Sequence, residues 1–243
     1  MSKGDRLGRL AAEFFLIVLG VVAALGVDRW VQEIEEDRTE RDYLLRLARD
    51  VQANDSIFRF MLQDWEASQK AASDLMNVLN DPSSRPPAAG LLAAVARAGA
   101  TNTGPAQDAN FQDLAATGNL RLIRNSDLRV ALVHYFGHQI RAGRPSMDRL
   151  DLRFRSFARE HLPVEWITEW RVLCPRPTPA FECSATDPPP TDLIWRALTQ
   201  DPLMPRILNA RRNDAAREVA IIQRWVGQSE EMLEKLQAAL SAG

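Results

Sequence analysis

The sequence predicts an all-α protein, and three observations carry that prediction. Nothing breaks a helix from Leu10 to about Leu79, because the first proline is Pro82 and no glycine occurs between Gly26 and Gly90. Apolar residues recur at three- to four-residue steps in the long segments, and no alternating strand pattern of useful length occurs. Aromatic residues make up only 7% of the chain and alanine is plentiful, which suits helices rather than sheets. The expected architecture is an N-terminal transmembrane helix that continues into a long helix. A long C-terminal helix and shorter central helices pack against it as an extracytoplasmic bundle.

Residues 1–9 carry Lys3, Arg6 and Arg9 and are expected to be a cytoplasmic N-terminus. Residues 10–30 are the expected anchor. Leu10 to Val27 would span about 27 Å as a helix, close to the ~30 Å hydrocarbon core of a bilayer. The basic start and the acidic segment from Asp28 to Asp42 predict a single pass through a bacterial inner membrane, with the C-terminal domain in the periplasm. Glu13 sits at the cytoplasmic interface, where it can snorkel or pair with Arg9, and Trp30 fits the opposite interface at headgroup depth. A cleaved signal peptide ending at Ala24-Leu25-Gly26 is one alternative, opposed by the lack of a turn former after the apolar run. A buried core helix is the other, since the uninterrupted apolar stretch Phe14 to Val27 is 14 residues.

Residues 31–80 read as a stalk and bundle helix. Its outer part, Gln32 to Asp42, is mostly charged, with Asp37–Arg41 and Arg38–Asp42 as i,i+4 pairs. Beyond it, Leu44, Leu47, Val51, Phe58, Leu62 and Trp65 form an apolar face. The gap in that face holds Asn54 and Asp55, which predicts a kink or a polar inner layer. Residues 81–110 form a linker that opens on DPSSRPP and contains a short helix, Ala88 to Ala98. Residues 111–172 hold the central helices: Phe111 to Ala116, ended by Gly118; a helix capped by Ser126 or Asp127 that reaches about Arg141; and Ser146 to His161. Residues 173–190 form a proline-rich cysteine loop. Residues 191–243 carry the long C-terminal helix, from about Pro205 to Leu240. There Ile222, Val226, Met232 or Leu233, Leu236 and Leu240 follow a near-heptad seam with Ser229 on it. Pairing this helix antiparallel with the long N-terminal one is the economical arrangement.

The formal net charge of −2 gives no global field for nucleic acid, so none is expected as a partner. Cys174 and Cys183 lie nine positions apart, and outside the cytoplasm a disulfide is the expected state. His134 and His138 are i,i+4 on one helix, a spacing that can serve a metal. They lack the intervening glutamate of a metalloprotease helix, and His161 would join them only through folding. No glycine-rich phosphate loop or G-x-S-x-G elbow occurs, and Glu35-Glu36 and Glu230-Glu231 lie in solvated helical stretches. No catalytic residue, metal or cofactor is therefore expected. Thr117 to Asn125 presents Arg121 and Arg124 around Leu122 and Ile123 and is the best candidate for a partner-binding surface, although the favoured reading is a tight inter-helix connection whose leucines fill the core and whose arginines cap helix C-termini. Trp166 and Trp170, four apart, are a second candidate, although core packing explains them as well.

Two blocks share a recognisable shape. The first runs from Glu13 through LIVLG (Leu16 to Gly20), Ala24-Leu25, Asp28 and Trp30 to YLLRLARDV and Asn54. The second is FQDLAATGNLRLIRNSDLRVALVHYF, from Phe111 to Phe136. Together they resemble an uncharacterised bacterial family of single-pass, membrane-anchored helical proteins, a domain of unknown function. The resemblance implies an anchor and no assigned activity. The proline-rich cysteine loop departs from it.

The expected function is non-enzymatic: a membrane-anchored accessory subunit or scaffold of a membrane protein assembly. Its partners would be the lipid bilayer and either a membrane protein or further copies of the chain. Small residues Gly20, Ala23, Ala24 and Gly26 suit helix contacts. The alternative is a helical ligand-binding or sensor module that signals through another membrane subunit.

Overall fold

The structure is a computed structural model. It describes the backbone of residues 3–102, 104–140, 150–175, 178–185 and 187–242. Side chains are described for Leu16 and from Leu19 onward, except at Pro82, at 138–140 and in the backbone gaps. The described residues contain helices and turns and no strand.

The first helix, α1 (Lys3–Asn80), has 78 residues and runs about 117 Å at 1.5 Å per residue. It is followed by α2 (Ala88–Gly99), α3 (Ala109–Ala116), α4 (Ser126–Leu132), α5 (Arg153–His161), α6 (Val164–Thr168), α7 (Trp170–Leu173), α8 (Asp192–Gln200) and α9 (Met204–Ala242). The pairing of α1 with α9 is antiparallel. Arg41 donates to the Leu240 carbonyl at 3.1 Å, the Phe58 and Trp225 rings meet at 5.3 Å, and Arg211 donates to Ser68 at 2.8 Å. As numbering rises along α1 it falls along α9.

Two apolar clusters fill the bundle. One is built by Leu47, Val51, Phe58 and Met61 of α1 with Phe136 and Ile222. The other joins Leu75 to α2, Phe154, Trp166, Trp170 and Leu208. The break in apolar spacing at Asn54 and Asp55 is a polar inner layer within an unbroken helix. Fully buried Asn54 donates to the Gln107 carbonyl at 2.8 Å and accepts from the Gln107 N–H at 2.6 Å. Ser229 does the same on the α9 seam, sharing a 2.9 Å hydrogen bond with the buried Tyr135 hydroxyl.

Several boundaries differ from the sequence reading. Asn125, not Ser126 or Asp127, caps α4, because its side chain accepts from both Asp127 N and Leu128 N at 3.0 Å. The predicted run to Arg141 becomes π-helical from Val133 to Ile140. Of the predicted Ser146–His161 helix, residues 146–149 lie outside the described residues and α5 begins at Arg153. The separate helix α8 was not foreseen, although Ile194 and Leu198 bury one face of it and Pro202 follows its end.

The membrane anchor requires correction. Among the described residues no helix is long and apolar enough to cross a membrane, which overturns the inner-membrane location with a periplasmic domain. Glu13 lies outside the residues whose side chains are described.

Glu218 gives a pH prediction. It is buried on α9 with Arg217 Nε 3.7 Å away, and burial raises its pKa while Arg217 opposes the shift. A carboxyl with a raised folded pKa contributes stability that is fully present below the unfolded pKa and lost as pH rises through the folded one. Glu218→Gln keeps the neutral shape. It is expected to match the wild type at acidic pH and to have the higher Tm at neutral pH, measured by calorimetry across that range. A lower neutral Tm in the variant would mean that the Arg217 pair outweighs the burial.

Candidate functional site

The bundle ends near Glu40. Arg124 closes that end: its N–H donates to Glu40 Oε1 at 2.8 Å and its guanidinium pairs with Asp37. Beside it the last turn of α9 is held by Arg41. Arg124, a candidate for partner binding, is thus paired with α1 while its side chain stays exposed. Arg121 is exposed on the same short turn, whose Gly118 adopts a left-handed φ of 72°. A glycine reaches that backbone region without steric cost, so the chain can turn sharply between α3 and the Ile123 core contact.

Beyond this end α1 continues alone. Leu16 is 72% exposed, Leu19 63%, Val22 61%, Leu25 64% and Trp30 63%. At 100° per residue, Leu19, Val21, Val22, Leu25 and Val27 are distributed around the whole circumference, so this is no one-sided stripe. A Cβ added at Gly20 or Gly26 would meet nothing within 4 Å. Exposed apolar side chains grouped in this way make the segment a candidate interaction site. A helix apolar on all sides is covered only when several neighbours surround it.

Trp166 and Trp170 are both buried in the core rather than displayed. Trp170 lies under two cations, with the Arg97 and Arg171 guanidinium carbons 5.6 and 4.7 Å from its ring centre. Arg97, itself buried, staples the cysteine loop: Nη1 donates to the Thr178 carbonyl at 2.7 Å and Nη2 to the Cys174 carbonyl at 2.8 Å. Gly90 lets the loop approach, since a Cβ there would lie 2.8 Å from the Phe181 carbonyl oxygen.

Cys174 and Cys183 are buried free thiols in this structure, in place of the expected disulfide. The fold does bring Cys183 close enough to Cys174 to act on its thiol. Burial, with that contact adding, pushes the Cys174 thiol up to about 12 against the opposing charge of Arg97. The thiol is therefore protonated and a poor nucleophile at neutral pH. Arg97 and packing hold the loop against α2.

The histidines do not form a common site among the described residues. His134 is exposed on the π-helical segment, and the His138 side chain lies outside the description. His161 Nδ1 is 2.9 Å from the Phe157 carbonyl and its ring stacks on Phe157. No group of three or more histidine, cysteine or acidic side chains among the described residues is placed to hold a metal. With the geometry established, comparison adds no relative: no known protein family, curated protein or solved structure matches the chain.

Proposed function

We propose that this protein is a non-enzymatic accessory subunit or scaffold, which inserts the apolar tip of α1 among helices of a protein assembly. The rest of the bundle is held clear of that attachment point. The observation that carries the reading is the set of exposed apolar side chains on α1 outside the packed bundle, among them Leu19, Val22, Leu25, Val27 and Trp30. Burying one such aliphatic side chain is worth about 1.5–3 kcal/mol, so several together supply ample driving force for association. The charged segment between tip and bundle, including Glu33, Glu35 and Glu36, stays solvated and acts as a spacer.

The test is copurification of the full chain in mild detergent with quantitative mass spectrometry, run beside the triple variant Leu19→Gln/Val22→Gln/Leu25→Gln. Glutamine keeps helix propensity, and these side chains contact no other element, so the variant's Tm should match the wild type. The wild type is expected in a stoichiometric assembly, with its own copies or with another subunit, and the variant as a monomer. Recovery of the wild type alone and monomeric would end the proposal.

A further inference from the structure

On the flank of the bundle, where α2 ends, a cavity of about 340 Å³ opens between α2, α5 and α7. Three of its lining residues are arginines, Arg155, Arg159 and Arg171, and none is a carboxylate. Arg155 and Arg159 lie one turn apart on α5. Their helix is drawn tightly against the end of α2, because a Cβ at Gly99 would sit 2.7 Å from the Ala158 Cβ. Arg171 reaches the same space from α7. Its Nη2 is 2.6 Å from the buried Asp64 carboxylate, and Trp170 supports the guanidinium face.

The charge balance at this cavity is one-sided. Asp64 offsets one of the three cations, and among the described residues neither Arg155 nor Arg159 pairs with a carboxylate. The negative end of α2 would normally oppose an anion here. Instead Arg211, buried behind the cavity floor, donates to the Ala98 carbonyl at 2.6 Å and to the Ala100 carbonyl, so those acceptors are already taken. Burial lowers the Arg211 pKa to about 10; Asp214 and Glu218 oppose that shift and Arg155 adds to it. The Arg211 guanidinium therefore remains charged at neutral pH. Apolar Ile167, Ala158 and Trp170 line the remaining wall.

We propose that this cavity binds a phosphate-class oxyanion through Arg155, Arg159 and Arg171, with room beside it for the small organic group of a phosphate ester. Guanidinium donors arranged as forks match the planar edges of such an anion, and a dianion relieves the mutual repulsion of the arginines. The volume suits a small molecule. This inference is independent of the apolar tip, and loss of one reading leaves the other intact.

The experiment is isothermal titration of the full chain with inorganic phosphate and, separately, phenyl phosphate, in buffered chloride at fixed ionic strength. Saturable binding is expected, weakened at least tenfold in Arg155→Gln/Arg159→Gln. That variant should fold, since Arg159 is exposed and Arg155 only half-buried. Its unliganded Tm provides the check, and it also controls for the general stabilising effect of phosphate on proteins. Phenyl phosphate binding tenfold tighter than phosphate would identify an ester as the occupant, and equal binding would identify the free anion. No saturation by either probe up to roughly 10 mM, a free energy too small for a built site, would overturn the proposal. Equal binding by wild type and variant would overturn it too.

Discussion

Arg211→Ala is expected to lower the unfolding free energy by about 4 kcal/mol, and the Tm by roughly 10 °C, in urea and thermal melts. Arg211 is 1% exposed and lies where α9 crosses α1 and α2. Its Nε donates to the Ala98 carbonyl and its Nη2 to Ser68 Oγ and the Ala100 carbonyl. Removing the side chain orphans acceptors at the end of α2, each costing about 1–3 kcal/mol when left buried, and opens a cavity as well. Lysine cannot repair the loss. It keeps the charge but lacks the planar fork that reaches three acceptors on two elements. Arg211→Lys should therefore recover less than half of the difference. A loss below about 1 kcal/mol in Arg211→Ala would show that water replaces the guanidinium.

Trp65→Ala is expected to cost about 3–5 kcal/mol, the usual range for a fully buried large aromatic side chain. The ring is 1% exposed, and its Nε1 donates to the Asn102 carbonyl at 3.1 Å. It also lies under the Arg211 guanidinium, 4.8 Å from ring centre to carbon. The two substitutions therefore share a partner. The double variant should be more stable than the sum of single losses predicts, by about 1 kcal/mol. Strict additivity in that cycle would show that the stacking adds nothing beyond burial.

Both predictions concern residues that the sequence did not single out together. Trp65 was legible as a core position through its spacing from Phe58. The same spacing placed Leu62 on the seam, where the structure instead buries Met61 and leaves Leu62 half-buried. Arg211 reads in sequence as one more charge on a charged helix. Its burial depends on the end of α2 meeting α9, a contact between positions 113 residues apart. The arginine cavity was hidden for the same reason. Arg155 and Arg159 show their common face by spacing, but Arg171 and Gly99 come from other elements.

The apolar character of Leu10 to Val27 was equally legible, and the assignment built on it was not sustained. Hydropathy reports how strongly a segment avoids water, without naming what covers it. Trp166 and Trp170 illustrate the opposite limit. Their spacing was consistent with display or with packing, and the presence of Arg97 and Arg171 around Trp170 decided for packing.

By itself the sequence determined the helical class, the span of the two long helices, their antiparallel pairing and the polar break at Asn54. These follow from local periodicity and from where proline and glycine fall, which are properties of neighbouring residues. Tertiary structure alone decided which arginines are buried, which side chains close the cysteine loop and where positive charge is concentrated. Such outcomes depend on which helix faces meet, because the cost of burying a charge is set by the partners that distant segments bring to it.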